Sequence, residues 1–441
     1  MDRFLVKGGN IIHGEIKVSG AKNVAMKVIL AGLLTDKPIL IKNIPLISSV
    51  FGTIKVVKPL GVKVTLSDGH TLKVHGDGLK NYKVPLELGG LYRTATMVMG
   101  PLLARTNHAI VPNPGGCRIG RRPIDRHIDG LKSMGAEIVY KEGYFVAYAK
   151  KLHGARFRFK HNTHTGTETL ILAAVLAEGE TVLENAAEEP EIDDLIRLLN
   201  LMGAKIKRHN RTLIIDGVKK LGGAEFSIMP DRNEVVTFAI AAIATGGDLI
   251  IEGTQREYLK SFLEKLDEAH ASWEPISNTK TRFFASNKLH PTHVTASPHP
   301  GFMTDWQAPW ALLMTQANGQ STIHETVYED RFGYVKEMEK MGARINFFNP
   351  EVKEPAVVYN FNWGDRKRDS FHAIKIFGPQ RLHNAILEVT DLRAGATLLL
   401  GSLVAQGESV IDGVEHIDRG YENIEERLKL LGAQIQRVKE E

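Results

Sequence analysis

Cysteine is almost absent: Cys117 is the only one in 441 residues. A single thiol excludes an internal disulfide framework and a cysteine-cluster metal site, and it suits a reducing compartment. A large excess of one charge is also lacking. The formal net charge is +5, which fits an enzyme for small anions better than a dedicated nucleic-acid binder. Long apolar runs are missing. The longest, Leu170–Ala177, has eight residues, against about 20 needed to span a membrane. The start, Met1 to Asn10, has no apolar stretch of the kind a signal peptide carries. The expectation is a protein without membrane insertion, located in the cytoplasm. Neither a Walker loop nor a GxGxxG pattern occurs. His290, His293 and His299 look like a ligand set, but no Cys or carboxylate completes a familiar spacing. They read as strand and turn histidines, and no metal is expected.

What is present is an ordinary globular composition with internal repetition. Hydrophobic residues make up 43% and charged residues 24%, which excludes disordered and fibrous classes. The length allows two or three domains. One pattern returns six times: a helix-like stretch, a Leu/Met-Gly turn, then a short alternating strand. It reads LGVKV from Leu60, MGAEI from Met134, MGAKI from Met202, MGARI from Met341 and LGAQI from Leu431, with a worn copy near Ala269–His270–Ala271. A second marker has the same period: TDKPILI at Thr35, RTNHAIV at Arg105, EGETVLE at Glu178, TGGDLII at Thr245, NGQSTIH at Asn318 and QGESVID at Gln406. Two markers with one period of about 70 residues define a repeat protein. Each unit reads α-β-α-β-β with part of another strand before it, so the class is α/β (α+β). The last unit is longer than the others. Its surplus lies between Asn349 and His383, includes Asp365–Arg366–Lys367–Arg368–Asp369, and reads as an exposed loop inserted at a strand–strand turn.

The repeat makes certain positions equivalent. The first helix of each unit opens near Lys22, Arg93, Gly166, Arg232, Trp306 and Arg393. Helix N-termini offer free N–H groups and a positive dipole end, and so bind anions. A cation at that end is unfavourable unless an anion arrives, which marks Lys22, Arg93 and Arg393 as candidate anion ligands. Asp231, Asp305 and Asp391 precede equivalent helices, and Asp231 and Asp391 read as N-caps. The segment Pro112–Pro123 concentrates Pro, Gly, three arginines and Cys117. It reads as a shaped, lid-like loop. Its arginines favour the thiolate of an exposed, reactive Cys117.

Six motifs then carry a resemblance over the whole chain: SGAKN (Ser19–Asn23), PGGCxIGxRPxDxH (Pro114–His127), PGFxTDxQA (Pro300–Ala308), ETVxExRF (Glu325–Phe332), TDLRA (Thr390–Ala394) and HIDRGYExIE (His416–Glu425). Together they resemble the UDP-N-acetylglucosamine 1-carboxyvinyltransferase family of enolpyruvyl transferases. The related 5-enolpyruvylshikimate-3-phosphate synthases share the repeats but lack the PGGC loop and the SGAKN start. The resemblance implies a two-lobed inside-out α/β prism, three repeats per lobe. Residues 21–230 would form the first lobe, carrying the Cys117 loop, and 1–20 with 231–441 the second. The site would lie in the cleft, completed by lobe closure.

The implied reaction joins phosphoenolpyruvate to the 3-hydroxyl of UDP-N-acetylglucosamine and releases phosphate, the first committed step of peptidoglycan synthesis. The resemblance implies Cys117 as acid and Asp305 as base, with Lys22, Arg122, Arg393 and Arg419 holding phosphate and carboxylate. Asn23 and Arg93, the run Pro123, Ile124, Asp125 and Arg126, the loop His164, Thr165 and Gly166, and Val327 and Arg331 would bind substrate. No cofactor and no nucleic-acid partner are implied, and the oligomeric state stays open. Three positions depart from the family pattern. Where KxSVGAT is usual, Asn162–Glu168 stands instead, and His164 can donate to a phosphate in place of the lost lysine. Arg126 replaces a common apolar residue, and Met97 a frequent tryptophan. Two alternatives therefore stand beside the main reading: transfer to another uridine nucleotide, and a non-catalytic anion-binding repeat protein.

Overall fold

The computed structural model describes residues 2–115, 119–285, 288–367 and 369–439. Cys117 lies outside the described residues. The chain divides into two compact units. The first comprises residues 20–115 and 123–229; the second comprises 2–19, 119–122 and 230–439. Each unit holds three repeats and three small sheets.

In the second unit the first helices of the three repeats, Arg232–Ala244, Gln307–Met314 and Leu392–Val404, pack on one another. Only Ala244 and Val404 escape full burial. A helix apolar on all sides can only sit in a core, so these become the centre and the sheets the wall. Strands such as Asp248–Glu252 and Glu408–Asp412 bury alternate residues, turning one face onto the helices. The later helix of each repeat is amphipathic and lies outside, as Lys260–Glu268 does with Phe262, Leu263 and Leu266 inward. The first unit repeats this plan. Its Met99–Thr106 and His164–Ala174 helices pack together, and Lys27 of the Lys22–Ala31 helix pairs with Glu168.

Every first helix begins within two residues of its expected place: Lys22, Thr94, His164, Arg232, Gln307 and Leu392. The repeated Gly is explained by its backbone. Gly61, Gly135, Gly203, Gly342 and Gly432 all adopt φ between 90° and 104°, a left-handed conformation that ends a helix cheaply only with glycine. In the worn fourth copy His270 takes that place at φ 54°.

Two strands are exchanged between repeats. His13–Lys17 precedes the first repeat in sequence but pairs in parallel with Asp248–Glu252 of the fourth. Ala224–Ser227 precedes the fourth repeat but pairs in parallel with Pro38–Lys42 of the first. Each exchange completes a sheet within one unit. Asp2–Lys7 likewise enters the sixth repeat's sheet between Glu408–Asp412 and Gln434–Lys439.

Two expectations need correction. The Pro112–Pro123 loop does not belong wholly to the first unit, because residues 119–122 group with the second. Gly120 lies so close to Glu329 that a Cβ would meet its Oε2, and Arg122 stands over the Tyr328 ring at 5.8 Å. The surplus in the last part of the chain is not simply an exposed loop. Between strands Arg344–Phe348 and Ala373–Gly378 it carries the short helix Pro355–Val358, and it buries Tyr359, Phe361 and His372. Its Arg368 lies outside the described residues. No helix among the described residues is long and apolar enough to cross a membrane.

Candidate active site

In the second unit Asp305 sits in a one-turn 3-10 helix, Thr304–Trp306, directly before Gln307–Met314. Its equivalents cap their helices: Asp231 accepts from Asn233 N–H at 2.8 Å, and Asp391 from Arg393 and Ala394 N–H at 2.9 and 3.2 Å. Asp305 instead accepts from two guanidiniums on one oxygen. Arg331 Nη2 and Arg393 Nε each lie 3.1 Å from its Oδ1. Both arginine side chains are almost fully buried, whereas that of Asp305 is 25% exposed. The carboxylate is thus the most exposed member of the cluster.

Further partners fix the two arginines. Arg393 Nη1 donates to the Tyr421 hydroxyl at 2.9 Å, which meets Thr237 Oγ1 at 2.7 Å. Arg331 Nη1 lies 3.6 Å from Asp391. Burial works against the charge of Arg331, but Asp391, Asp305 and Glu325 outweigh it and raise its pKa. Tyr421, Asp305 and Asp231 do the same against burial for Arg393. Arg419 is half-buried in the turn after Val414–His416 and forms no ion pair among the described residues.

Glu325 is the buried hinge of this corner. Its Oε2 accepts from Thr304 Oγ1 at 2.7 Å, beside Asp305. Its Oε1 accepts from Val327 and Tyr328 N–H at 2.7 and 3.2 Å, which sets the loop that carries Val327. Burial pushes its pKa from 4.5 to about 7, against the opposing hydrogen bonds and Arg331. The protonated form is therefore favoured by folding. This contribution to stability is complete below about pH 4.5 and is lost as pH rises through about 7. Glu325→Gln is neutral at every pH. Wild type is expected to lose up to about 3 kcal/mol relative to E325Q between acid and mildly alkaline pH. Urea unfolding of both proteins across that range measures it, and a constant difference contradicts it.

In the first unit Lys22 opens its helix with no side-chain cap and no acid in the first turn, which leaves that end suited to an anion. Asn23 follows it, and both are half-buried. Arg93 stands at the start of Thr94–Met97, where Met97 is buried. Pro123 and the buried Ile124 lead into Asp125–Ser133. Asp125 Oδ1 accepts the N–H of Arg126, and Arg126 Nη1 donates to Asn162 O at 3.3 Å. Arg93 and Arg126 converge on His127. Burial first, then these two charges, press its pKa down to about 3. This neutral ring meets Thr165 Oγ1 at 3.0 Å through Nε2.

The altered loop is held from beneath. Thr163 Oγ1 caps the His164–Ala174 helix by accepting from Gly166 N–H, and a Cβ on Gly166 would strike Thr163 at 2.5 Å. His164 Nε2 lies 3.1 Å from Glu168 Oε1, and Lys27 Nζ lies 3.2 Å from Oε2. Burial opposes the His164 charge, but the attraction and hydrogen bond of Glu168 outweigh it and raise the pKa. The loop thus carries a histidine whose charged form Glu168 favours. The three histidines read as non-ligands have separate partners: His290 stacks on His270, His293 meets Thr322, and His299 meets Arg232.

Sequence reasoning missed Glu325, Tyr421, His127 and the Lys27–Glu168 pair. A signal existed for the last: Lys27 stands in an otherwise apolar helix, and a buried lysine needs a partner. Nothing in the sequence marks Tyr421 as the Arg393 support.

The family model for EPSP synthase (3-phosphoshikimate 1-carboxyvinyltransferase) matches residues 6–428. A UDP-N-acetylglucosamine 1-carboxyvinyltransferase from Acidobacterium capsulatum is 42% identical, covering 99% of this chain and 96% of its own length. One of the same name from Koribacter versatilis is 42% identical, covering 100% and 97%. The crystal structure of the enolpyruvyl transferase NikO from Streptomyces tendae superposes with a TM-score of 0.86 at 23% identity, covering 100% of this chain and 99% of that one. At that identity it speaks for the fold, which is the two-domain inside-out α/β fold of six repeats.

Proposed function

Because the chain belongs to the UDP-N-acetylglucosamine 1-carboxyvinyltransferase family of enolpyruvyl transferases, we propose that it transfers the enolpyruvyl group of phosphoenolpyruvate to the 3-hydroxyl of UDP-N-acetylglucosamine, the first committed step of peptidoglycan synthesis. The observation that carries the chemistry is Asp305, partly exposed and held by the buried Arg331 and Arg393.

The reaction adds a proton to the methylene carbon of phosphoenolpyruvate and the sugar oxygen to C2. Inorganic phosphate then leaves from C2, and the methylene carbon gives its proton back. Asp305 takes the sugar hydroxyl proton as the C–O bond forms. Cys117 supplies the proton to carbon. Lys22, Arg122, Arg393 and Arg419 grip the phosphate and carboxylate and stabilise charge as it develops. Asn23, Arg93, Pro123, Ile124, Asp125, Arg126, Val327 and Arg331 orient the acceptor, with His164, Thr165 and Gly166 at its diphosphate. His164, paired with Glu168, serves where the family pattern has lysine. No cofactor enters this scheme.

The test is alkylation by the epoxide fosfomycin, a known inhibitor of this family. One adduct per chain on Cys117, the sole thiol, is expected to abolish turnover. Cys117→Asp keeps an acid and lacks the sulfur nucleophile, and should turn over and resist the drug. Inactivation with Cys117 unmodified contradicts the assignment.

A further inference from the structure

The segment 349–372 is the part of the chain that the repeat does not require, yet it is organised. Asn360 N–H donates to Thr326 O at 2.7 Å, and Glu325 N–H to His372 O at 2.8 Å, so both ends of its inner stretch are tied to the strand Gly319–Glu325 and its extension. Its rings form a stack. Trp363 lies on Tyr359 at 4.5 Å with planes 10° apart, and the Arg366 guanidinium lies 3.5 Å above Trp363 on its own account. Arg366 Nη1 is fixed by Trp363 O at 2.9 Å. The Tyr359 hydroxyl is fixed by His324 at 3.0 Å.

Tyr359, Trp363 and Arg366 line a half-open pocket of about 250 Å³. Pro350, Val352 and Pro355 give it an apolar side; Arg366 and His372 give it a polar one. His372 is 2% exposed, and among the described residues neither of its ring nitrogens has a hydrogen-bond partner. A buried polar group without a partner is costly and calls for an explanation. Burial, with Arg366 and His324 nearby, keeps this ring neutral at physiological pH, its pKa lowered to about 4. It therefore offers one donor and one acceptor. Arg366 forms no ion pair among the described residues, although its fork matches a carboxylate.

We propose that segment 349–372 builds a second ligand site, which takes a small carboxylate with an apolar body. The carboxylate meets Arg366, the neutral His372 ring completes its hydrogen bonding, and the apolar body lies against Pro350, Val352 and Pro355. The size fits a small ligand better than a nucleotide: about 250 Å³ lies below the usual range for drug-sized ligands. The site is therefore not a second copy of the acceptor site, and the inference does not depend on the proposed reaction.

Benzoate is the probe. Isothermal titration of the full chain should show saturable binding with a Kd of about 1 mM or tighter. Benzamide, which lacks the charge, and acetate, which lacks the apolar body, should each bind at least about tenfold more weakly. Arg366→Gln and His372→Phe should each weaken benzoate at least about tenfold, while phosphate release by both variants stays within about twofold of wild type. Saturating UDP-N-acetylglucosamine should leave benzoate affinity unchanged. Absence of saturable binding, equal affinity in R366Q, or displacement by the sugar nucleotide each overturns the proposal.

Discussion

Replacing Asp305 with alanine is expected to lower kcat by about 10²- to 10⁴-fold, the usual worth of a positioned general base. The fold should survive the change. Arg331 keeps Asp391, and Arg393 keeps Tyr421, when the shared carboxylate is removed. KM for phosphoenolpyruvate should therefore move much less than kcat, because the cations that hold that substrate remain. Asp305→Asn separates the two roles of the side chain. It retains an oxygen for Arg331 and Arg393 but cannot accept the hydroxyl proton. Steady-state kinetics should show the same fall in kcat for D305N as for D305A. Retention of kcat within about threefold in D305N would mean that Asp305 only orients the arginines.

Arg393→Ala is the second large effect, and it reaches stability as well as catalysis. This guanidinium is buried between Asp305 and Tyr421. Removing one partner of a buried pair typically costs about 3–5 kcal/mol, mostly because the remaining groups lose their compensation. Here the cost should fall toward the low end, because Asp305 keeps Arg331 and is partly exposed. On catalysis, loss of one preorganised cation is expected to lower kcat/KM for phosphoenolpyruvate by about 10²- to 10³-fold. Arg393→Lys keeps the charge but cannot reach Asp305 and Tyr421 together from a planar fork. It should recover part of the stability and little of the rate. Urea midpoints with initial rates over a phosphoenolpyruvate series measure both. A folded R393A that saturates with phosphoenolpyruvate as wild type does would remove Arg393 from the substrate site.

The repeat was legible in the sequence because its marker is a backbone requirement. Gly61, Gly135, Gly203, Gly342 and Gly432 stand where the chain turns left-handed, and few other residues do so without strain. Once that period is read, the equivalence of Lys22, Arg93 and Arg393 follows, whereas the separate role of Asp305 beside the capping Asp231 and Asp391 came only with the family resemblance. The strand exchange was not legible. His13–Lys17 and Ala224–Ser227 are short strands whose composition is satisfied by any neighbour, and their pairings join residues 235 and 185 positions apart. The supports of the site were hidden for a related reason. Tyr421 and Arg393, or Lys27 and Glu168, become partners only when distant helices pack. The extra segment was misread because its charged run drew attention to the surface, while Tyr359, Phe361 and His372 on either side of that run are buried.

The central claim is that this chain passes an enolpyruvyl group to a uridine-diphosphate sugar, and its most direct test is phosphate release from phosphoenolpyruvate. UDP-N-acetylglucosamine, uridine monophosphate and shikimate 3-phosphate should be compared in parallel as acceptors. The account predicts release with UDP-N-acetylglucosamine and none above background with the other two. Release with uridine monophosphate or shikimate 3-phosphate alone, or no release with any acceptor from folded protein, would contradict it.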